Sequence, residues 1–587
     1  MDDSVAYFAK TNFRNKERMF GIQKKDRRQH MYVIGQTGTG KSTFLKNIAL
    51  QDIRSGHGIC IVDPHGEFVE EVLEMIPSER IRDVIYFNPA DSNNPVGFNV
   101  LEVPEQTTNT DYRTIAASGL MGIFTKIWAN VWSSRMEYIL NNAVLALLEM
   151  PGATLLGIQR ILIDKEYRKE VLSHVKNDQV RAFWTQEYDL WEPRFRNEAI
   201  AAIQNKVGQF LSSPLIRNIV GQPKTSLNLY DAMNQEKIIL VNVSKGRIGE
   251  DNSQLLGAMI ITKIQLAAME RVQIPEDDRK DFYLYVDEFQ NFATDSFASI
   301  LSEARKYRLN IIIAHQYIGQ LVTETSTKVR DAVFGNVGTM VTFRVGATDA
   351  EFLEKEFAPE VTIQDLVGLP NHNIFLKLMI NNVRCAPFSA TTLPPLAIDT
   401  EERTAEKIIE YSRKTYARNK DEVETEIRAL SKIIDAIPQS KSHKPISPVR
   451  SDHAPARPVI VPRREPPKQH ESYSSSHVKK EKEDVPVPQP TKPVEPKKVL
   501  SLASLLPKKE EKNDATDIRK EYTSRKEEKK PERKKRPAGM TDLREALHRA
   551  LQKKNSPVRE NTQTSSSKET KQEVRGERLE PGQSVKL

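Results

Sequence analysis

The feature that most constrains this chain is a nine-residue segment with the pattern Gly-x-x-x-x-Gly-Lys-Ser-Thr, directly after the apolar run Met31–Ile34. Glycines in such a segment let backbone N–H groups turn inward around a phosphate, and the lysine ammonium reaches the outer phosphate oxygens. The members of the segment are Gly35, Gln36, Thr37, Gly38, Thr39, Gly40, Lys41, Ser42 and Thr43. The sequence therefore predicts a strand, a phosphate-binding loop and a helix, in that order.

The residues after this loop strengthen the prediction. Positions 44–50 have the composition of a helix, and the positive end of a helix dipole favours a bound anion. The hydroxyl of Ser42 is placed to hold Mg²⁺ beside a triphosphate. We therefore expect ATP and Mg²⁺ as cofactors; the alternative for the segment is an ordinary Gly/Ser turn.

A second apolar run, residues 282–286, ends in the carboxylates Asp287 and Glu288. Asp287 can share the Mg²⁺ with Ser42, while Glu288 can polarise the attacking water as general base. This pair argues against small-molecule kinases and GTPases, which usually position water differently. The alternative is that both carboxylates cap the following helix.

Two further polar residues are candidates for the hydrolytic step. Gln316 follows the apolar run 311–314, in a strand expected between the two nucleotide-binding strands, where it can contact the γ-phosphate or the water. Arg305 ends a predicted helix and can reach the nucleotide of a neighbouring subunit, with Arg308 as the second choice. Plain strand-end and solvated helix-end residues are the respective alternatives.

Continuous apolar runs of strand length occur at 31–35, 58–63, 84–87, 238–243, 282–287, 311–314 and 340–343. Such runs are typical of parallel strands covered on both faces, and helical segments separate them. The expected fold class is α/β, a RecA-like P-loop NTPase sheet with right-handed crossovers. Between 111 and 222 the apolar spacing becomes helical throughout, which predicts an all-helical insertion.

The chain thus divides into a lead-in (1–30), two parts of a P-loop NTPase domain (31–110 and 223–395), the insertion (111–222), C-terminal helices (396–437) and a tail (438–587). The tail has 36 Lys and Arg against 22 Asp and Glu, whereas the whole chain has a net charge of +8. The basic character therefore belongs to the tail, and the remainder is mildly acidic. Rich in Lys, Pro and Glu and poor in aromatics, the tail is expected to be disordered.

Composition also excludes several classes of protein. Two cysteines cannot build a disulfide framework, so a reducing compartment is expected. The N-terminus has no signal peptide pattern. No apolar stretch approaches the roughly 20 residues needed to span a bilayer.

These motifs together resemble the HerA/FtsK superfamily of DNA-pumping ATPases, and in particular the TraD/TraG group of type IV secretion coupling proteins. The resemblance covers roughly residues 20–395 and includes the helical insertion. Its motifs are the loop 35–43, the turn Asp63-Pro-His-Gly-Glu67, the segment Val286-Asp-Glu-Phe289, and Ile313-Ala-His-Gln316 with Gln320-Leu321 downstream.

The resemblance implies a ring, usually a hexamer, with nucleotide at the subunit interfaces and DNA through the centre. The family's motif positions carry onto Lys41, Ser42, Asp287, Glu288, Gln316 and Arg305. Membrane-bound coupling proteins begin with transmembrane helices, whereas this sequence begins Met1-Asp-Asp-Ser. A cytoplasmic motor without its own transmembrane segment is therefore expected, peripheral at the inner face of the membrane through a partner.

Three functions fit these residues. The first is an ATP-driven DNA translocase of a conjugative or type IV secretion-like system, with a secretion-channel or relaxase partner. The second is a HerA-like ATPase in chromosomal DNA processing or segregation, with a nuclease partner. The third is a nucleotide-switched interaction protein that acts through its basic tail, whose binding to nucleic acid would weaken steeply with salt.

Overall fold

The computed structural model describes residues 4–12, 16–104, 107, 111–323, 326–396 and 404–432. The predicted disordered tail, residues 438–587, lies outside this described part.

Eleven strands form one sheet in the order β2-β1-β13-β10-β9-β3-β8-β7-β4-β6-β5, and two more form a separate hairpin, β11-β12. The strands are β1 (Val5–Thr11), β2 (Met19–Gln23), β3 (Met31–Ile34), β4 (Gly58–Asp63), β5 (Val84–Phe87), β6 (Ile238–Asn242), β7 (Phe282–Val286), β8 (Leu309–His315), β9 (Thr339–Thr342), β10 (Asn373–Lys377), β11 (Met379–Ile380), β12 (Val383–Arg384) and β13 (Phe388–Thr392).

The seven strands from β9 to β5 run parallel to one another. They are the seven predicted strands, so the predicted α/β sheet is confirmed. β3, β4, β7 and β8 are buried along their whole length, as continuous apolar runs require. β8 lies between β3 and β7, which confirms the predicted position of the strand that carries Gln316.

Beyond β9 the sheet continues as four antiparallel strands, which the sequence analysis did not predict. Two of them, β1 and β2, come from the segment expected to be a lead-in. These strands alternate between buried and partly exposed positions, and they carry many polar residues. Such a pattern is weak in a sequence because one face of the strand is only partly covered.

The helices are α1 (Lys24–Arg27), α2 (Lys41–Arg54), α3 (Glu67–Leu73), α4 (Tyr112–Ile127), α5 (Ser134–Glu149), α6 (Leu156–Ile163), α7 (Lys165–His174), α8 (Asp178–Ala182), α9 (Pro193–Ser212), α10 (Pro214–Val220), α11 (Leu229–Asn234), α12 (Lys245–Ile248), α13 (Glu250–Glu270), α14 (Asp295–Glu303), α15 (Lys328–Asn336), α16 (Ala347–Phe357), α17 (Ile363–Val367), α18 (Thr404–Tyr416) and α19 (Lys420–Lys432). In the described part of the chain, neither sheet has a strand between β5 and β6. None of the described helices is long and apolar enough to cross a membrane.

Successive residues of the central strands point into two different apolar cores, one on each face of the sheet. Val33 and Ile61 pack with α2 and α3, whereas Ile34 and Val62 pack with the helices of the other face. That second core continues without a break into the helical insertion. Helix α4 makes the connection, because it packs both on α13, beside the sheet, and on α5, within the insertion.

Candidate active site

The loop after β3 curls over the N-terminus of α2. Gly40 is the residue before α2 and has a φ of +115°. A Cβ on Gly40 would lie 3.1 Å from Nδ1 of His372, and a Cβ on Gly35 would lie 2.5 Å from Cβ of Phe343. Neither position accepts a side chain in this conformation. The backbone of the loop therefore remains free to face a phosphate.

Lys41 begins α2, and its side chain folds back over the loop. Its Nζ donates hydrogen bonds to the carbonyl oxygens of Gly35, at 2.6 Å, and Gln36, at 3.1 Å. Burial lowers the pKa of Lys41, while the charges of Glu288 and Asp287 raise it. A buried ammonium that is held by two carbonyl oxygens can turn toward an anion placed in the loop.

Ser42 and Asp287 meet at the carboxyl edge of the sheet. Oγ of Ser42 lies 3.5 Å from Oδ2 of Asp287, although the two residues are 245 positions apart in the chain. They come together because β3 and β7 flank β8, and the carboxyl ends of parallel strands share one edge. The two places that the sequence analysis assigned to one magnesium-bound triphosphate do converge.

Asp287 is buried and its negative charge is poorly neutralised. Burial first, and then the charges of Glu288 and Asp63, raise its pKa to about 6, although the backbone N–H of Glu288 and the charge of Lys41 oppose the rise. Asp63 ends β4 and accepts hydrogen bonds from the backbone N–H groups of His65 and Val69. The segment 63–67 is thus a turn at the carboxyl edge, as predicted. Its carboxylate adds to the negative potential at Asp287.

Glu288 follows β7 in a left-handed conformation, with φ +44°. Two amide side chains hold its carboxylate. Gln316 Nε2 donates to Oε1 at 2.9 Å, and Gln290 Nε2 donates to Oε2 at 2.6 Å. The backbone N–H of Glu288 in turn donates to Oδ1 of Asp287 at 2.9 Å. The carboxylate is therefore fixed beside Asp287 by donors from two segments of the chain.

The residue before Gln316, His315, is buried in the core. Its Nε2 lies 2.8 Å from Oη of Tyr32, and its Nδ1 lies 3.1 Å from the carbonyl oxygen of Tyr317. Burial lowers the pKa of His315 to about 4, so the ring is neutral at physiological pH. His315 supports the end of β8, and Gln316 is the residue that contacts Glu288.

Arg305 lies outside this constellation. It precedes β8, so it sits at the amino edge of the sheet, opposite the Lys41 loop of the same chain, and its side chain is exposed. Arg308, the second choice, is buried and lies 3.9 Å from Asp281 and 3.8 Å from Asp277. Arg308 therefore interacts with carboxylates of its own chain, whereas the side chain of Arg305 faces solvent.

Sequence reasoning missed the groups that support the loop from the segments after β9 and before β10. The backbone N–H of His372 donates to the carbonyl oxygen of Thr39 at 3.0 Å, and the carbonyl oxygen of Arg344 accepts from the N–H of Gln36 at 2.8 Å. No local pattern marks these contacts, because they join segments more than 300 residues apart. Gln290, by contrast, could have been found: it stands two residues after Glu288.

The donor set fits a magnesium nucleotide. A serine hydroxyl and a buried carboxylate oxygen are hard ligands of the kind that Mg²⁺ prefers alongside phosphate oxygens. A cation here would also relieve the charge that raises the pKa of Asp287. Ser42 and Asp287 would hold the metal, Gly35–Lys41 backbone groups and the Lys41 ammonium would hold the phosphates, and Glu288 with Gln316 would face the terminal phosphate.

Comparisons with known proteins identify the family of this chain. Residues 19–358 match the family model of the type IV secretion-system coupling protein DNA-binding domain. No curated protein matched the chain in sequence.

Among solved structures, the bacterial conjugative coupling protein TrwBdeltaN70 is similar, with 15% identity, a TM-score of 0.46, and coverage of 65% of this chain and 89% of that one. The plasmid coupling protein TrwB in complex with ADP and Mg²⁺ is 16% identical, with a TM-score of 0.46 and coverage of 65% and 90%. VirB4 of Thermoanaerobacter pseudethanolicus is 14% identical, with a TM-score of 0.47 and coverage of 68% and 98%.

Proposed function

The chain belongs to the type IV secretion-system coupling protein family, and on that premise we propose that it hydrolyses ATP with Mg²⁺ to drive DNA through a conjugative or type IV secretion-like transfer system. The observation that carries this proposal is the approach of Ser42 to Asp287, at 3.5 Å, with Glu288 fixed beside them. Separate segments of the chain meet there with the groups that phosphoryl transfer requires.

In the proposed binding step, the loop from Gly35 to Thr43 receives the phosphates through its backbone N–H groups. Lys41 would exchange its two carbonyl partners for phosphate oxygens, and Ser42 and Asp287 would hold the metal. The metal would supply charge neutralisation at the β- and γ-phosphates. Every group in this step comes from the carboxyl edge of the parallel sheet.

In the proposed hydrolytic step, Glu288 accepts the proton of the attacking water. Its position next to Asp287, under the control of Gln316 and Gln290, keeps the carboxylate at the terminal phosphate. Gln316 contacts Glu288 and would also reach the γ-phosphate, so the end of β8 would sense whether the phosphate is present. This assigns Glu288 as general base and Gln316 as its positioning partner.

The proposed assembly is a ring, with six subunits as the expected number, and with DNA as its partner. An exposed Arg305 supports a role in trans, because an arginine at the amino edge can reach only the nucleotide of a neighbouring subunit. The proposed location is cytoplasmic, at the inner face of the membrane, where a secretion-channel partner holds the ring and a relaxase delivers the DNA.

The test is ATP hydrolysis by the full chain with and without DNA. The proposal predicts Mg²⁺-dependent turnover that single- or double-stranded DNA increases several-fold. Turnover that neither kind of DNA changes would exclude the translocase. A chain truncated after residue 437 should retain the stimulation, whereas loss of stimulation would favour an interaction protein that acts through its tail.

A further inference from the structure

Lys126 lies in the last turn of α4, where the helical insertion contacts the loop after β7. Its Nζ donates to the carbonyl oxygen of Gln290 at 2.5 Å and to that of Ala293 at 2.6 Å. Burial of the ammonium lowers the pKa of Lys126 to about 7, and in the described part of the chain no carboxylate pairs with it. Within the described residues, this cation donates to two backbone oxygens of the loop after β7.

That loop sets the position of the proposed general base. Gln290 donates to the Glu288 carboxylate at 2.6 Å, and the Nδ2 of Asn291 donates to the Glu288 carbonyl oxygen at 2.8 Å. Phe292 fixes the far side of the loop against α13, so closely that a Cβ on Gly257 would lie 2.2 Å from the ring. A displacement of the loop backbone would therefore move the carboxylate of Glu288.

The other side of the contact belongs to the insertion. Helix α4 packs on α5, and the ring of Trp128 stacks on that of Phe124 with centroids 4.5 Å apart. Lys126 lies between these two aromatic residues in sequence, on a helix that packs against both α5 and α13. A rotation or shift of α4 along its axis is thus transmitted to the carbonyl oxygens that Lys126 holds.

We propose that Lys126 is a positioning residue that couples the helical insertion to Glu288, so that a change in the insertion alters the rate of ATP hydrolysis and leaves nucleotide binding unchanged. This inference rests on the proposed function, since it names the regulation of the same site. Three contacts make this connection. The Lys126 ammonium donates to two backbone oxygens of the loop, and Gln290 of the same loop donates to the Glu288 carboxylate. That carboxylate faces the attacking water in the proposed hydrolytic step.

The test compares Lys126→Met with Lys169→Met. Methionine keeps the length and the apolar stem and removes the ammonium, and Lys169 is an exposed lysine of the same insertion. We expect Lys126→Met to lower kcat by on the order of 10-fold and to reduce the DNA stimulation toward unity. KM for ATP and the Kd of a fluorescent ATP analogue should stay within about twofold of wild type, and Lys169→Met should match wild type throughout.

A structural role predicts a different pattern. If Lys126→Met lowers the melting temperature while kcat and the DNA stimulation remain as in wild type, the inference is wrong. It is equally wrong if nucleotide affinity falls as much as kcat. Lys126→Arg, which keeps a cationic donor, should recover most of the lost turnover.

Gln290→Ala keeps the test decisive if Lys126→Met does not fold. Gln290→Ala removes the side-chain amide that donates to the Glu288 carboxylate and keeps the backbone carbonyl oxygen that accepts from Lys126. It should lower kcat without changing KM for ATP, because it releases the carboxylate that this loop positions. A kcat equal to that of wild type would overturn the inference.

Failure of the proposed function is distinguishable from failure of the inference. Wild type without any ATP turnover removes both. Wild type that hydrolyses ATP without a response to DNA removes the translocase, and the kcat of Lys126→Met without DNA still decides whether Lys126 positions Glu288.

Discussion

The two edges of the parallel sheet differ in how their buried charges are neutralised. At the amino edge, Arg27 and Asp52 form a buried bidentate pair, with N–O distances of 2.5 and 2.7 Å, and Tyr285 hydrogen-bonds to both. At the carboxyl edge, Lys41 contacts carbonyl oxygens and Asp287 is left with a pKa raised to about 6. The buried charges of the amino edge pair within the chain, whereas those of the carboxyl edge are the ones that we propose a bound magnesium nucleotide neutralises.

This difference indicates that the amino edge serves stability and the carboxyl edge serves function. Substitutions at the amino edge should change the free energy of unfolding, whereas substitutions at the carboxyl edge should change turnover and leave the free energy of unfolding unchanged or higher. Arg305 is the exception at the amino edge, because it is exposed.

Arg305→Ala should lower ATP turnover by roughly 1,000-fold or more, as removal of an arginine that acts in trans does. The free energy of unfolding should change by less than about 0.5 kcal/mol, because the side chain is exposed. Turnover by the purified variant and a urea melt measure the two effects.

Mixed rings give the control for this prediction. Lys41→Ala should lose nucleotide binding, so each variant alone is inactive, but a mixture of the two recovers a fraction of wild-type turnover at the interfaces that combine an intact Lys41 with an intact Arg305. A mixture that remains inactive would contradict a role in trans.

Glu288→Gln should lower kcat by roughly 100- to 10,000-fold, because an amide cannot accept the proton of the water. The affinity for ATP should stay near the wild-type value, since Lys41 and the loop are unchanged. Single-turnover hydrolysis and binding of a fluorescent ATP analogue separate the two steps. Equal hydrolysis rates in wild type and variant would rule out Glu288 as general base.

Asp52→Ala should cost about 3–5 kcal/mol of unfolding free energy, because it leaves the Arg27 guanidinium buried without its partner. Asp277→Ala is the matched control at the same edge. The carboxylate of Asp277 is fully exposed and lies 3.8 Å from Arg308, so its loss should cost less than about 1 kcal/mol. Similar losses in the two urea melts would contradict the contrast between buried and exposed pairs.

Asp287→Asn should stabilise the nucleotide-free protein by about 1–3 kcal/mol at pH 7.5. A carboxyl whose pKa is raised in the fold costs stability when ionised; the cost is absent below the unfolded pKa of about 4 and complete above about pH 6. Wild type should therefore lose stability as the pH rises through this window, and the variant should lack that slope. Asp178→Asn, on the exposed insertion surface, should behave as wild type.

Asp287→Asn should also lose Mg²⁺-dependent turnover, which is the signature of a group kept for function at the expense of stability. A variant that is less stable than wild type, or one that keeps the pH slope, would show that Asp287 is already satisfied within the chain.

The sequence predicted what depends on neighbouring residues. The loop around Lys41, the seven parallel strands and the strand end at Asp287 each have a contiguous signature, and the position of β8 then follows from the order of a P-loop sheet. The family membership, predicted from the same motifs, is confirmed by the family model.

What the sequence did not predict depends on distant contacts. The antiparallel strand β13 has no continuous apolar run, and the run in β10 is only three residues long. The support that His372 gives the loop joins two segments that lie far apart in the sequence. Arg308 and Arg305 read alike in sequence, and only the partner Asp281 separates a buried ion pair from an exposed side chain. The sequence around Lys126 predicts a solvated lysine at a helix end, because the residues whose carbonyl oxygens accept its hydrogen bonds come more than 160 positions later.

The most informative measurement is the structure of the protein with Mg²⁺ and a non-hydrolysable ATP analogue. The proposed function predicts a metal bound to the hydroxyl of Ser42 and near the carboxylate of Asp287, with the terminal phosphate facing Glu288 and Gln316. A nucleotide bound elsewhere, or one that contacts the Lys41 loop with Asp287 and Glu288 turned away from its phosphates, would contradict it.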